Sequence, residues 1–144
     1  MRGVIGQLGN QGNGSGKGQD ITVVDMEASI EHLSRGTLRH VDTLLIVTEP
    51  YYRALETAGR TVRFARQLNI PHIYAVANKV RSAQDEQAIR DYCAAQELEV
   101  AAIVPFDEHV TEADRDGRAL LDVAPDSAAV RAISQLTEKV VGSQ

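Results

Sequence analysis

Beyond residue 20 the chain alternates between two textures: short unbroken apolar runs, and longer stretches in which apolar residues return every three or four positions. The first run, Ile21-Thr22-Val23-Val24, is rich in β-branched residues and ends at Asp25, which suits a buried parallel strand. A helix-like or loop-like stretch from Glu27 to His40 leads to a second strand, Val41 to Thr48, centred on Leu44 to Val47 and stopped by Glu49-Pro50. From Tyr52 to Leu68, the residues Leu55, Ala58, Val62, Ala65 and Leu68 fall at helical spacing. Pro71 opens a third strand, His72 to Val76, with Asn78-Lys79 at its carboxyl end. A helix from about Ala83 to Gln96 follows, with Ala88, Ile89, Tyr92 and Cys93 on one face. Val100 to Val104 reads as the fourth strand and ends at Pro105. A loop, a short helix containing Glu112 to Asp114, a turn at Gly117 and a last helix from about Ser127 to Val141 complete the pattern.

Strands that alternate with helices predict an α/β fold: a three-layer parallel sheet of at least four strands with flanking helices. In such sheets ligands bind at the carboxyl ends of the strands. Asp25, Thr48 to Pro50, Asn78-Lys79 and Pro105 to Asp107 are therefore expected along one rim. The amino-terminal end differs in kind. Met1 to Leu8 suits one or two helical turns, but Gly9 to Gly18 has no apolar periodicity, and seven of the eleven glycines precede Asp20. Residues 1–19 are read as a flexible glycine-rich segment and 20–144 as the folded domain.

A length of 144 residues, 43% hydrophobic and 24% charged, is ordinary for one domain with a single core. The net charge of -5 argues against nucleic-acid binding, which needs clustered Lys and Arg to displace counterions. Scarce aromatics and the absence of Trp argue against a base-stacking platform for single strands. Cys93 is the single cysteine, so no internal disulfide forms; together with the lack of a signal-like amino terminus this points to the cytoplasm. No apolar run approaches the roughly 20 residues of a membrane span.

Candidate chemistry sits at the strand ends. Asp25, closing an apolar strand, has the placement of an Mg²⁺-linked carboxylate in phosphate-loop enzymes, though an Asp at a strand end is more often a helix cap or turn former. Asn78, by itself, reads as a strand-terminal turn residue. Asp107-Glu108, Glu112 and Asp114 to Asp116 form an acidic cluster that reads as a solvated loop and helix cap rather than a metal site. His32, His40, His72 and His109 show neither i, i+4 pairing nor cysteine neighbours, so no metal site is assigned; Cys93 reads as a small buried hydrophobe. The last helix, with only Arg131 and Lys139 as positive charges, is expected to pack on the sheet and not on a membrane.

The string Asp25 to Thr37, followed by Val41 to Pro50, resembles the accessory ATPases that support nickel insertion into carbon monoxide dehydrogenase, within the group that contains the nitrogenase iron protein and the Min-type cell-division ATPases. The resemblance continues through Glu56 to Arg60, Asn78-Lys79-Val80 and Val104 to Asp107. It implies ATP and Mg²⁺ as cofactors. Asp25, Glu27 and Ser29 would belong to the Mg²⁺ and switch region, and Asn78, Lys79, Pro105, Phe106 and Asp107 to the base pocket. Its partners would be a second copy of the chain in a homodimer, or a metalloenzyme client such as carbon monoxide dehydrogenase.

Two departures bear on activity. The family places Gly where this chain has Ser29, and a left-handed Ser would cost roughly 1 to 2 kcal/mol. The family's phosphate loop, Lys-Gly-Gly-x-Gly-Lys-[Ser/Thr], has no counterpart here: Gly12 to Gly18 lacks the first lysine, carries Gly18 in place of the hydroxyl residue, and precedes a strand instead of opening a helix. The paired-cysteine metal motif of the nickel-linked members is also missing. The expectation is the carboxyl-terminal portion of an ATP-binding maturation factor, with no catalytic residue of its own and little ATP hydrolysis alone. The alternatives are a non-catalytic interaction module of the same fold, or a fragment. Because the phosphate-loop strand lies between the first two strands in the family, its absence implies either direct pairing of those two or a surface covered by another chain.

Overall fold

Three β-branched or apolar segments form the sheet, and each is parallel because a helix carries the chain back between them. The computed structural model describes residues 21–26 and 41–142. The glycine-rich segment, Glu27 and Ser29 lie outside the described residues. Strands β1 (Thr43–Thr48), β2 (His72–Val80) and β3 (Glu99–Pro105) lie in the order β1-β2-β3, both pairings parallel. Between and after them run α1 (Tyr52–Gln67), α2 (Ala83–Ala95), α3 (Glu108–Arg115), the single turn α4 (Leu120–Val123) and α5 (Ala128–Gly142).

The layers follow from side-chain alternation. Ile46, Ala75 and Ala77 face α1 and α2, where they meet Leu55, Ala58, Val62, Ile89 and Cys93. On the opposite face Val76 and Val104 meet Ala129 and Leu136 of α5. This is the three-layer α/β arrangement expected from the alternation of strands and helices. At the α1–α2 crossing Gly59 lets the helices approach: a Cβ there would lie 2.5 Å from the Tyr92 hydroxyl, which would have to shift.

Helix ends are closed by local chemistry. Ser82 accepts from the Asp85 amide at the start of α2. After α1 and α2, Asn69 and Glu97 take left-handed backbone at φ 56° and 52°, and the amides of Ile70 and Leu98 reach back to Ala65 and Cys93. Arg66 also donates to the carbonyls of Gln96 and Glu97, tying the end of α1 to the end of α2.

The sheet departs from expectation in two places. Ile21 to Val24 is no strand; it is exposed, with Val23 at 88%, and the sheet holds three strands among the described residues instead of at least four. β-Branched composition favours extended backbone, but without a ladder neighbour the segment gains no inter-strand hydrogen bonds. The outer edge of β1 has no partner among the described residues, and Leu45 (37%) and Val47 (62%) are exposed on the α5 side of the sheet, beyond the part that α5 covers. Second, β2 runs on to Val80, past the expected end at Val76, so that Asn78-Lys79 lies within the strand and not after it.

Candidate functional site

That extension of β2 carries an irregularity. Ala77 pairs with Ile103 and Val80 with Pro105, so β2 spends one more residue than β3 over the same interval, and Asn78-Lys79 forms the bulge. Lys79 sits at φ 56°, left-handed backbone that is unfavourable for a residue with a side chain. The bulge also resets the alternation: Ala77 and Val80, three apart, both join the core beneath α1 and α2. The Lys79 ammonium meets the Glu49 carboxylate, just past β1, at 2.7 Å. Bulges and non-glycine left-handed residues concentrate beside functional sites, and this one lies at the carboxyl ends of the strands.

The β3 side of the rim is tied to the same point. The Phe106 amide donates to the Val80 carbonyl at 2.9 Å, and the Arg81 guanidinium lies over the Phe106 ring, 3.4 Å from its centroid. Across the rim, Thr48 ends β1 opposite Ala77 with its hydroxyl buried and without a hydrogen-bond partner. Asn78, Pro105 and Phe106 are half-buried.

Asp107 serves as the helix cap that the acidic cluster is expected to hold. Its carboxylate, 6% exposed, accepts from the His109 amide at 3.1 Å and the Ala129 amide at 3.1 Å, capping the starts of both α3 and α5. It also pairs with His109 Nδ1 at 2.8 Å. The Ala129 amide first, then the His109 side chain, hold its carboxyl down at about 2. The reciprocal bond raises the His109 imidazole above its ordinary value. Among the described residues no group of three His, Cys, Asp or Glu side chains is arranged to hold a metal ion.

The rim thus gathers Asn78, Lys79, Pro105, Phe106 and Asp107, with Thr48 and Glu49 opposite. It does not gather Asp25. Met26 packs against Ala65 and Ile70, near the end of α1 and the start of β2, and its neighbour Asp25 is exposed there, away from the carboxyl ends of the strands. At the strand ends the described residues bring together a bulged Asn and an aromatic–guanidinium stack. They do not assemble an Mg²⁺ site. Arg81 was not singled out by the sequence pattern; the signal was a cation placed directly between the Asn-Lys-Val strand end and the Ser82 helix cap.

No protein-family model matches the chain. It is 39% identical over 109 residues to the carbon monoxide dehydrogenase accessory protein CooC of Rhodospirillum rubrum, covering 76% of this chain and 41% of CooC. The chain is a CooC homologue. An uncharacterized ATP-binding protein of Methanocaldococcus jannaschii is 34% identical over 126 residues, 87% of this chain and 48% of that protein. Among solved structures, the MinD cell division protein of Aquifex aeolicus aligns with a TM-score of 0.64 at 15% identity, covering 78% of this chain and 50% of MinD. A ParA family ATPase of Chlorobium tepidum aligns at 0.62 with 25% identity, over 78% and 46%. The fold of this CooC homologue is therefore that of the MinD and ParA P-loop ATPases, and the chain spans about half the length of the relatives it matches. Among its described residues no helix is long and apolar enough to cross a membrane.

Proposed function

We propose that the chain is the carboxyl-terminal portion of an ATP-binding maturation factor that serves nickel insertion into a metalloenzyme such as carbon monoxide dehydrogenase. The 39% identity to CooC carries this reading. Within it, Asn78 recognises the adenine, with Lys79, Pro105, Phe106 and the backbone at Asp107 forming the base side of the pocket. Asp25, Glu27 and Ser29 form the Mg²⁺ and switch segment. Without a phosphate loop in its 144 residues, the chain lacks the amides and lysine that stabilise the transferred phosphoryl group, so it turns over little or no ATP alone.

The deciding measurement is titration of the chain with a fluorescent adenine nucleotide. Binding that weakens in Asn78→Ala supports the pocket; no binding at millimolar nucleotide rejects it. ATP turnover by a preparation free of contaminating ATPase, abolished in Asp25→Ala, would overturn the inactive state. The second reading, an interaction module without nucleotide chemistry, draws on the exposed Leu45 and Val47 and on the edge of β1 that has no partner among the described residues, surfaces that a second copy or a client would cover.

A further inference from the structure

Resting on the base-site reading of the rim, we infer that Arg81 is the platform on which the nucleotide base lies. Arg81 directly follows β2, and its backbone is anchored: its amide donates to Asp85 Oδ2 at 3.0 Å. The ring beneath it is anchored to the same strand end, because the Phe106 amide donates to the Val80 carbonyl at 2.9 Å. With its central carbon 3.4 Å from the ring centroid, the guanidinium occupies the Phe106 face at stacking distance. A base entering beside Asn78 therefore meets the guanidinium before it can meet the ring.

The guanidinium is suited to that contact. Arg81 is exposed and makes no ion pair among the described residues, whereas Arg60, Arg90, Lys79 and Lys139 each hold a carboxylate. Phe106 lies against one side of the guanidinium, and the exposed position of Arg81 lets a heterocycle approach the other. A guanidinium stacks on aromatic planes and a lysine ammonium does not. The two-ring purine covers more of that surface than a pyrimidine, so Arg81 selects for ring size while the Asn78 amide reads the polar edge.

Full-length Arg81→Lys and Arg81→Ala chains, titrated with ribose-labelled fluorescent ATP and CTP, test this. Both variants are expected to bind the ATP probe on the order of tenfold more weakly and to lose most of the preference over the CTP probe. Arg81→Lys binding like the unaltered chain overturns the platform, since charge without the plane would then suffice. Arg81→Ala with unchanged affinity does the same. If Asn78→Ala weakens binding while both Arg81 variants keep it, the base site stands and only the role of Arg81 falls. If the unaltered chain binds no adenine nucleotide at millimolar concentration, or Asn78→Ala leaves binding unchanged, the base-site reading falls and the platform with it.

Discussion

The Lys79 ammonium lies 2.7 Å from the Glu49 carboxylate and locks a left-handed residue in β2 to the end of β1. Two energies oppose each other at Lys79. Its backbone conformation costs roughly 1 to 2 kcal/mol relative to glycine, and a partly exposed ion pair returns about 0.2 to 1 kcal/mol. Lys79→Gly is therefore expected to leave stability unchanged or raise it by up to about 1 kcal/mol in urea unfolding, less what glycine adds to unfolded-chain entropy. Lys79→Ala keeps the strain, loses the pair and should destabilise by up to about 1 kcal/mol. Equal destabilisation in both would show that the strain is not felt.

Asp107 joins α3 to α5, and its removal is felt at both starts. Asp107→Ala should destabilise the protein by about 1 to 2 kcal/mol, the size of a lost helix cap. Because the folded carboxyl is depressed to about 2, its contribution is complete above the unfolded value near 3.8 and is lost as pH falls through the folded one. The acid limb of unfolding between pH 4 and 2 should flatten in Asp107→Asn.

His109 carries the opposite sign. Its raised value means the contribution of the pair to stability is fully present below the ordinary histidine value, near 6.5, and is lost as pH rises through the folded value. NMR titration should place His109 above 6.5 in the unaltered chain, and Asp107→Asn should bring it down. A His109 that titrates identically in both would refute the coupling.

At the α1–α2 crossing, Gly59→Ala sets a new methyl against the Tyr92 hydroxyl at 2.5 Å. The gain in helix propensity is about 1 kcal/mol, and overpacking costs about 1 to 3 kcal/mol, so net loss is expected. Tyr92→Phe in the Gly59→Ala background should recover part of that loss, measured as a double-mutant cycle. The ring carbons, still at 3.3 Å, leave the remainder.

The uncovered side of β1 predicts association. Leu45→Lys/Val47→Lys replaces two exposed apolar side chains on one face and should lower self-association in sedimentation while shifting stability by less than about 1 kcal/mol. A chain already monomeric at high micromolar concentration would remove the homodimer from the proposed function.

Much of this fold is legible from periodicity. Leu44 to Val47 announces β1, and the spacing from Leu55 to Ala65 announces α1, because burial on one or two faces writes itself into local sequence. What fails is whatever depends on distant partners. Ile21 to Val24 carries strand composition but finds no neighbour to bond. Ala77-Asn78-Lys79 lacks strand formers, yet β2 passes through it on a bulge fixed by Glu49, about thirty residues away. Asp107 reads as a rim residue and a helix cap, but that it also caps α5 depends on Ala129, twenty-two positions on. Asn78 and Phe106 were visible as strand-end residues; the Arg81 stack was not, since nothing local specifies what lies beneath a guanidinium.

The buried Cys93 gives the molecule a built-in clock. The thiol is 1% exposed within the core beneath α1 and α2, and burial raises its value, which keeps it in the unreactive protonated form. As the single thiol in the chain, it can be alkylated only when α2 lifts from the sheet. Its labelling rate, divided by that of the unfolded chain, reads directly the fraction of time this core spends open, with no denaturant and no added probe in the fold.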